Sequence, residues 1–279
     1  MKFMYSLFLS YKERLFMNVC EIKARIKEIE ELPLMKYEEK KLKFSLLAEE
    51  ISGDERKGVI SLREKLEKKV LDIDKETARV KAMMNFESKY PEAEFICGTD
   101  EVGRGPLAGP IVTAAVILPK GLVIPGLNDS KQVKKEMREE LYEIILSNAV
   151  AVGLGMNTEK FIDTEGIQEA NYDAMRKAVA NLSVTPDLVL VDAVKIPKLP
   201  IRQVSIIKGD ALSVSIAAAS IVAKVTRDRL MSEYDKLYPE YDFKNNMGYG
   251  SKKHLEALTK LGPCEIHRRS FIKNYWTEQ

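Results

Sequence analysis

The stretch Phe95-Ile96-Cys97-Gly98-Thr99-Asp100-Glu101-Val102-Gly103-Arg104-Gly105-Pro106-Leu107-Ala108-Gly109-Pro110-Ile111-Val112-Thr113-Ala114-Ala115-Val116-Ile117-Leu118 decides how the chain is read. Two short apolar runs flank a pair of carboxylates and a turn rich in glycine. Residues 95–99 are strand-length, and 110–118 are apolar almost throughout, as in a strand buried on both faces. Working outward, 149–155, 188–191 and 204–207 are also strand-length, while 133–147, 165–182, 211–237 and 252–261 carry helical spacing. That order predicts an α/β fold, a mixed sheet flanked by helices.

Upstream the texture differs. From 18 to about 90 the chain is dense in Lys and Glu, and apolar residues recur at helical spacing in Ile22, Ile26, Ile29 and Leu32, and again in Leu62, Leu66, Val70 and Ile73. Breaks fall at Pro33 and at Ser52-Gly53-Asp54, a turn cluster able to cap the next helix. The apolar positions drift from a strict heptad, which favours a small helical domain over a coiled coil. The expected organisation is a small all-α N-terminal extension over 1–90 and a catalytic domain over 91–279. Residues 1–16 are expected to be non-native or disordered and dispensable, because Met17-Asn18-Val19 resembles a start.

Composition narrows the class of function without choosing it. With 45% hydrophobic and 31% charged residues the chain of 279 is an ordinary globular sequence, not a fibrous or disordered one. Forty-four Lys and Arg against 42 Asp and Glu leave a net charge of +2, which neither demands nor excludes a nucleic-acid partner. Cys20, Cys97 and Cys264 lie far apart and form no C-x-x-C, so neither a disulfide framework nor a zinc ribbon is supported and a reducing cytoplasm is expected. His254 and His267 lack zinc-like spacing. The apolar run over 3–16 is interrupted by Lys12, Glu13 and Arg14, which argues against a signal peptide or a membrane span. A cytoplasmic monomer away from membranes is expected.

The chemistry sits at strand ends. Asp100 and Glu101 follow the first strand, Asp192 closes Leu188-Val189-Leu190-Val191, and Asp210 follows Ile206-Ile207-Lys208-Gly209. Singly, each reads as a turn former or helix cap. Together, on neighbouring strands, they would bring several negative charges to one sheet edge, raising one another's pKa values. Divalent cations relieve such repulsion, and hard oxygen ligands suit Mg²⁺ or Mn²⁺. Two such ions form the clamp used for phosphodiester hydrolysis. The glycines of Gly103-Arg104-Gly105-Pro106-Leu107-Ala108-Gly109 are wrongly spaced for G-x-G-x-x-G, and a strand-like run follows where the pyrophosphate site needs a helix. The loop instead suits backbone N–H groups and a guanidinium meeting a sugar-phosphate strand.

The segment from Gly98 to Pro110 resembles the signature of ribonuclease HII. The resemblance is supported in order by Asp129-Ser130-Lys131, Val191-Asp192-Ala193, Lys208-Gly209-Asp210, Ser215-Ile216-Ala217-Ala218-Ala219-Ser220-Ile221, Gly248-Tyr249-Gly250 and Gly262-Pro263. It implies a ribonuclease H fold with two divalent ions, Mn²⁺ or Mg²⁺, held by Asp100, Glu101, Asp192 and Asp210. It further implies cleavage of the RNA strand of RNA–DNA hybrids and nicking of duplex DNA on the 5′ side of embedded ribonucleotides, leaving 3′-hydroxyl and 5′-phosphate ends, in DNA replication and repair. Gly103, Arg104, Gly105 and Tyr249 are then the readers of the ribose 2′-hydroxyl, and Lys131 meets a phosphate. For Lys131 the alternative is a solvated first-turn residue behind Ser130 as helix cap. Lys224, Arg227 and Arg229 read as a solvated helix face, with phosphate contact as the alternative. Asn246-Met247 stand where the family usually has His-Lys, one positive charge fewer beside Tyr249. Ribonuclease HIII, which ends its acidic set with Glu and carries a sheet-based N-terminal platform, fits less well. A silent hybrid-binding protein would lack at least one of the carboxylates.

Overall fold

A computed structural model describes residues 17–276, and the expectation for 1–16 lies outside the described residues. The chain divides into two compact units. The first runs to Val80 and takes in Val123–Pro125; the second comprises Lys81–Leu122 and the chain from Gly126 onward.

The first unit is helical. Helix α1 (Val19–Glu30) opens with a reciprocal cap, in which the Asn18 side chain accepts from Glu21 N–H and the Glu21 carboxylate accepts from Asn18 N–H. Pro33 breaks the chain before α2 (Tyr37–Glu50), and a turn at Ser52-Gly53 separates α2 from α3 (Lys57–Met83). Asp54 does not cap α3 directly; its carboxylate takes the N–H and guanidinium of Arg56, one residue before the helix. Both predicted apolar stripes face one core built on Ile22, Ile29, Phe44, Leu47, Leu62 and Leu66.

The second unit is a five-stranded mixed sheet. Its strands are β1 (Ile96–Val102), β2 (Ile111–Ile117), β3 (Ala151–Asn157), β4 (Leu188–Asp192) and β5 (Gln203–Ile206), in the order β3-β2-β1-β4-β5. The β1–β2 and β2–β3 pairs are antiparallel, whereas β1–β4 and β4–β5 are parallel. All of β2 is buried, as its unbroken apolar run requires. The helices are α4 (Lys135–Asn148), α5 (Glu159–Ala180), α6 (Gly209–Leu212), α7 (Val214–Leu237), α8 (Phe243–Asn246), α9 (Lys252–Leu261) and α10 (Arg269–Ile272).

Three sequence expectations need correction. Strand β1 does not stop at Thr99 but runs on through Asp100, Glu101 and Val102, because antiparallel pairing with β2 continues to Val102↔Val112. The helix expected from 211 is two helices, since Ser213 leaves helical geometry and caps α7 by accepting from Ile216 N–H. The helix expected from 165 begins at Glu159 and is interrupted at Gly166, whose φ of 81° breaks the helical backbone close to the expected start.

Close approach of helix to sheet depends on glycine. A Cβ on Gly98 would stand 2.0 Å from the carbonyl carbon of Ser215, and one on Gly155 would stand 1.9 Å from the Ala174 oxygen. Helices α7 and α5 therefore lie on the sheet at backbone distance. Among the described residues no helix is long and apolar enough to cross a membrane.

Candidate active site

Pleating decides where the β1 carboxylates go. Successive side chains of a strand point to opposite faces, so Asp100 faces α7 and Glu101 faces α5. The Asp100 carboxylate meets the Ser220 hydroxyl of α7 and accepts from Glu101 N–H at 2.8 Å. Ser220 Oγ is hydrogen-bonded at 2.8 Å to Ser130 Oγ. Glu101 meets the Asn171 amide of α5 and stands 3.5 Å from the Arg104 guanidinium.

Parallel pairing brings the third carboxylate beside them. Thr99 lies opposite Val191, so Asp192 leaves β4 at the same sheet edge as Asp100. The chain then turns through Ala193 at φ 56°, and Lys208 at φ 58° redirects it into α6. Left-handed backbone at non-glycine residues costs on the order of 1–3 kcal/mol each and clusters at functional sites. The second turn delivers Gly209 N–H to Asp192 Oδ1 at 2.7 Å. Asp210 is thus on the first turn of a short helix, not at the end of a strand as the sequence suggested.

These groups share one electrostatic neighbourhood. Burial, then the charges of Glu101 and Asp192, push Asp100 well above the ordinary carboxyl range, against the opposing Ser220 and Glu101 hydrogen bonds. Glu101 is raised by burial and by Asp192, although Arg104 pulls it down. Asp210 is raised by burial, by Asp129 and by Asp192. Lys131 is exposed; partial burial works against its charge, but Asp129, Asp100, Asp210 and Asp192 outweigh that and raise it. Among the described residues no three His, Cys, Asp or Glu close up into ligation geometry; the carboxylates sense one another at longer range, as like charges do. The donor set suits a divalent cation: hard oxygens, several half-buried, whose mutual repulsion is incompletely offset by Lys131 and Arg104.

The glycine-rich loop is held from beneath. Arg227 and Arg268 are both wholly buried. Arg268 donates to the carbonyls of Gly103, Arg104 and Gly109 at 2.6, 3.0 and 2.9 Å. Arg227 donates to Pro110, Met247 and Ala108 at 2.9, 2.8 and 3.1 Å. Burial pushes Arg227 down to about 10, and burial together with Arg227 pushes Arg268 down to about 9, so both stay charged at neutral pH. The loop's later N–H groups, of Leu107, Ala108 and Gly109, are taken by Gly248 and Ile266 carbonyls, whereas among the described residues no acceptor takes those of Gly103, Arg104 or Gly105. Gly103 has φ 97°, and a Cβ there would strike Arg227. A Cβ on Gly105 would stand 3.7 Å from Cε1 of Tyr249, which is 48% exposed beside the loop.

The comparisons with known proteins bear on this arrangement directly. The family model described as Ribonuclease HII matches residues 97–277, and the Ribonuclease HII N-terminal domain matches 19–91. The chain belongs to the ribonuclease HII family. Relatives named Ribonuclease HII include one from Lachnoclostridium phytofermentans, 55% identical over 79% of this chain and 87% of its own, and one from Bacillus cereus, 49% identical over 89% and 96%. The ribonuclease H2 of Pyrococcus horikoshii is 26% identical with a TM-score of 0.55, over 63% of this chain and 93% of its own. The RNase HII of Archaeoglobus fulgidus, solved in a complex with PCNA, shares the fold at 23% identity and a TM-score of 0.53, over 66% of this chain and 96% of its own. The ribonuclease HII chain is accordingly a hydrolase of the ribonuclease H type.

Several residues of this ribonuclease HII site carry roles that their sequence context does not suggest. Arg227 is not part of a solvated face; Arg229 is surface-paired with Glu139 and Glu143, while Lys224 is itself largely buried and paired with the buried Asp228. The signal was its spacing, three and four residues apart along α7 from Ser220 to Ala223 to Arg227, on the buried stripe. Ser130 does not cap a helix, because α4 begins only at Lys135; it sits buried against Ser220 instead. Asp129, a further carboxylate beside Asp210, lies in the Asp129-Ser130-Lys131 motif, although the sequence alone assigns it no role of its own, and Asn171 beside Glu101 carries no local pattern that marks it.

Proposed function

We propose that this protein hydrolyses the RNA strand of RNA–DNA hybrids and nicks duplex DNA on the 5′ side of embedded ribonucleotides, leaving 3′-hydroxyl and 5′-phosphate ends, in replication and ribonucleotide removal. The observation that carries the reading is the set of mutually repelling carboxylates on β1, after β4 and on α6, beside a loop whose Gly103, Arg104 and Gly105 N–H groups have no acceptor among the described residues, in a chain of this family.

Asp100, Glu101, Asp192 and Asp210 would hold two divalent ions, Mg²⁺ or Mn²⁺. When bound, such ions activate the attacking water and stabilise the leaving oxygen. The chain's own residues do the rest. Free N–H groups of Gly103, Arg104 and Gly105 meet phosphate and ribose oxygens, and the Arg104 guanidinium, tethered 3.5 Å from Glu101, lies where a phosphate approaches the carboxylates. Lys131 lies in the field of the same carboxylates and offsets charge as the phosphate enters. Tyr249 packs its exposed ring against the sugar whose 2′-hydroxyl distinguishes RNA from DNA. Within the extension over 1–90, residues 18 to about 90 grip the duplex, with 91–279 as the catalytic domain.

The test is a duplex carrying one ribonucleotide, incubated with Mg²⁺, Mn²⁺ or a chelator, with the cut mapped to the nucleotide. Metal-dependent cleavage on the 5′ side of the ribonucleotide is expected. Cleavage that survives the chelator, or an all-DNA duplex cut as fast, overturns the reading.

A further inference from the structure

The histidines, His254 on α9 and His267 before α10, are both buried and bonded to each other, Nε2 to Nε2, at 3.0 Å. Their protons can be placed by elimination. His254 Nδ1 lies 2.8 Å from the Tyr249 carbonyl, which can only accept, so Nδ1 carries the hydrogen and Nε2 of the neutral ring is a bare acceptor. His267 must then donate from Nε2, which leaves its Nδ1 bare. That atom receives Cys264 N–H at 3.0 Å and the Cys264 thiol at 3.1 Å. Burial pushes the thiol up to about 11, so it keeps its hydrogen. Burial also lowers both histidines, His267 to about 4 with help from His254, so both rings are neutral at physiological pH. Phe243 stands edge-on to His254 at 5.2 Å and Tyr241 to His267 at 4.9 Å, which walls the pair from water.

Each end of this chain of hydrogen bonds is attached to something that matters. His267 bridges to Ala108 of the glycine-rich loop, and its neighbours bind the same loop, with Ile266 accepting from Gly109 N–H and Arg268 donating N–H to Leu107. At the other end, the two peptide planes flanking Tyr249 are both fixed. The Gly248 carbonyl takes Leu107 and Ala108 N–H, and the Tyr249 carbonyl takes Ser251 N–H and His254 Nδ1–H. With both planes fixed, the direction in which Tyr249 leaves the backbone is fixed as well.

We propose that His254 and His267 are positioning residues, a neutral hydrogen-bonded clasp that orients Tyr249 against the glycine-rich loop and thereby sets discrimination for the ribonucleotide. The proposal rests on the reading of Tyr249 as the sugar-contacting residue. Neither histidine touches substrate; both act through the Tyr249 peptide.

The first test needs no variant, because the chain contains two histidines in all. In ¹⁵N-histidine spectra of the whole protein at pH 7, one ring should be protonated at Nδ1 and the other at Nε2, with neither titrating near the usual imidazole range. Two rings both protonated at Nε2, or two ordinary titrations, overturn the clasp. The second test is kinetic, on a duplex with one ribonucleotide. His267→Leu, which cannot donate, should lower kcat at least about tenfold with KM little changed, since small misplacement of a positioned group has effects of that size. His267→Gln, whose amide can donate in the Nε2 position, should restore most of the rate. In a Tyr249→Ala background His267→Leu should cause no further loss. A folded His267→Leu protein with wild-type kcat, while Tyr249→Ala is crippled, overturns the clasp and leaves the functional reading standing. A Tyr249→Ala protein that cuts like wild type overturns both.

Discussion

Replacing Gly98 with alanine tests whether α7 truly rests on β1 at backbone distance, and with it the placement of Ser220 beside Asp100. The new Cβ would lie 2.0 Å from the Ser215 carbonyl carbon and 2.3 Å from Ile216 N, where ordinary contact begins near 3.4 Å. Relief requires the start of α7 to retreat by about 1.4 Å, and the atoms in the way are backbone, which no rotamer change can move. Retreat would lift Ile216, Ala217 and Ser220, all buried, out of close packing. Overpacking in cores costs typically about 1–3 kcal/mol and occasionally more; a backbone obstacle puts this case at or above about 3 kcal/mol. For a chain of this size a loss of that order lowers Tm by roughly 6–12 °C. Calorimetry or thermal circular dichroism reads the shift, and cleavage of the single-ribonucleotide duplex should fall with it as Ser220 leaves Asp100. A variant within about 1 kcal/mol of wild type, with full activity, would refute the close contact and the account of Asp100 built on it.

Three further outcomes are expected. Asp100→Asn or Asp192→Asn should abolish cleavage while leaving hybrid binding largely intact, because losing an ion-holding carboxylate strikes the transition state more than the phosphate grip; activity within about tenfold of wild type at saturating Mg²⁺ contradicts the assignment. In metal-free protein, Asp100 has a folded-state pKa above its unfolded value near 3.8, so its favourable contribution is complete below that value and is lost as pH rises through the folded one. Denaturant titrations should therefore show Asp100→Asn gaining stability over wild type as pH rises from about 4, and Mn²⁺ should narrow the difference by stabilising wild type more than the variant, which has one carboxylate fewer; a pH-independent difference refutes this. A chain beginning at Lys81 keeps Glu87, whose carboxylate takes the Ser213 hydroxyl and Ser215 N–H at the start of α7. That chain should fold and cut at the same position, but its affinity for hybrid should fall and its salt slope flatten by about 0.9 for each phosphate that is no longer neutralised; unchanged affinity at every salt concentration contradicts a gripping role.

The sheet was legible because its strands are short apolar runs between turns. What misled was charge. Asp100 and Glu101 look like the end of a strand, yet they are within one, since pairing with β2 satisfies their backbone and the pleat gives each a separate face. Asp210 was found by following the strand before it, but the left-handed turn at Lys208 and the short helix it starts were not foreseen, because nothing in a lysine announces positive φ. Arg227 reads as a surface residue, as arginines usually are, and Arg268 carries no pattern that marks it. All but one of their partners are carbonyls more than a hundred residues away, the exception being Met247, and no local pattern records such a relation. The histidine pair was invisible for the same reason, two residues on different elements meeting only in three dimensions.

The two buried arginines also bear on how the protein can change. Where peptide N–H groups meet the substrate, as proposed for Gly103, Arg104 and Gly105, no side chain supplies the contact through which a substitution could retune it. At Gly103 any added carbon meets Arg227, and at Gly109 it meets Met231, so the loop itself offers few viable replacements. Removing either arginine would leave three carbonyls without their donor at once. On the proposed reading the peptide part of the contact is therefore shielded from gradual drift, and adjustment is left to side chains such as Arg104 and Tyr249, because single steps that reach the loop backbone are disabling instead of adjusting.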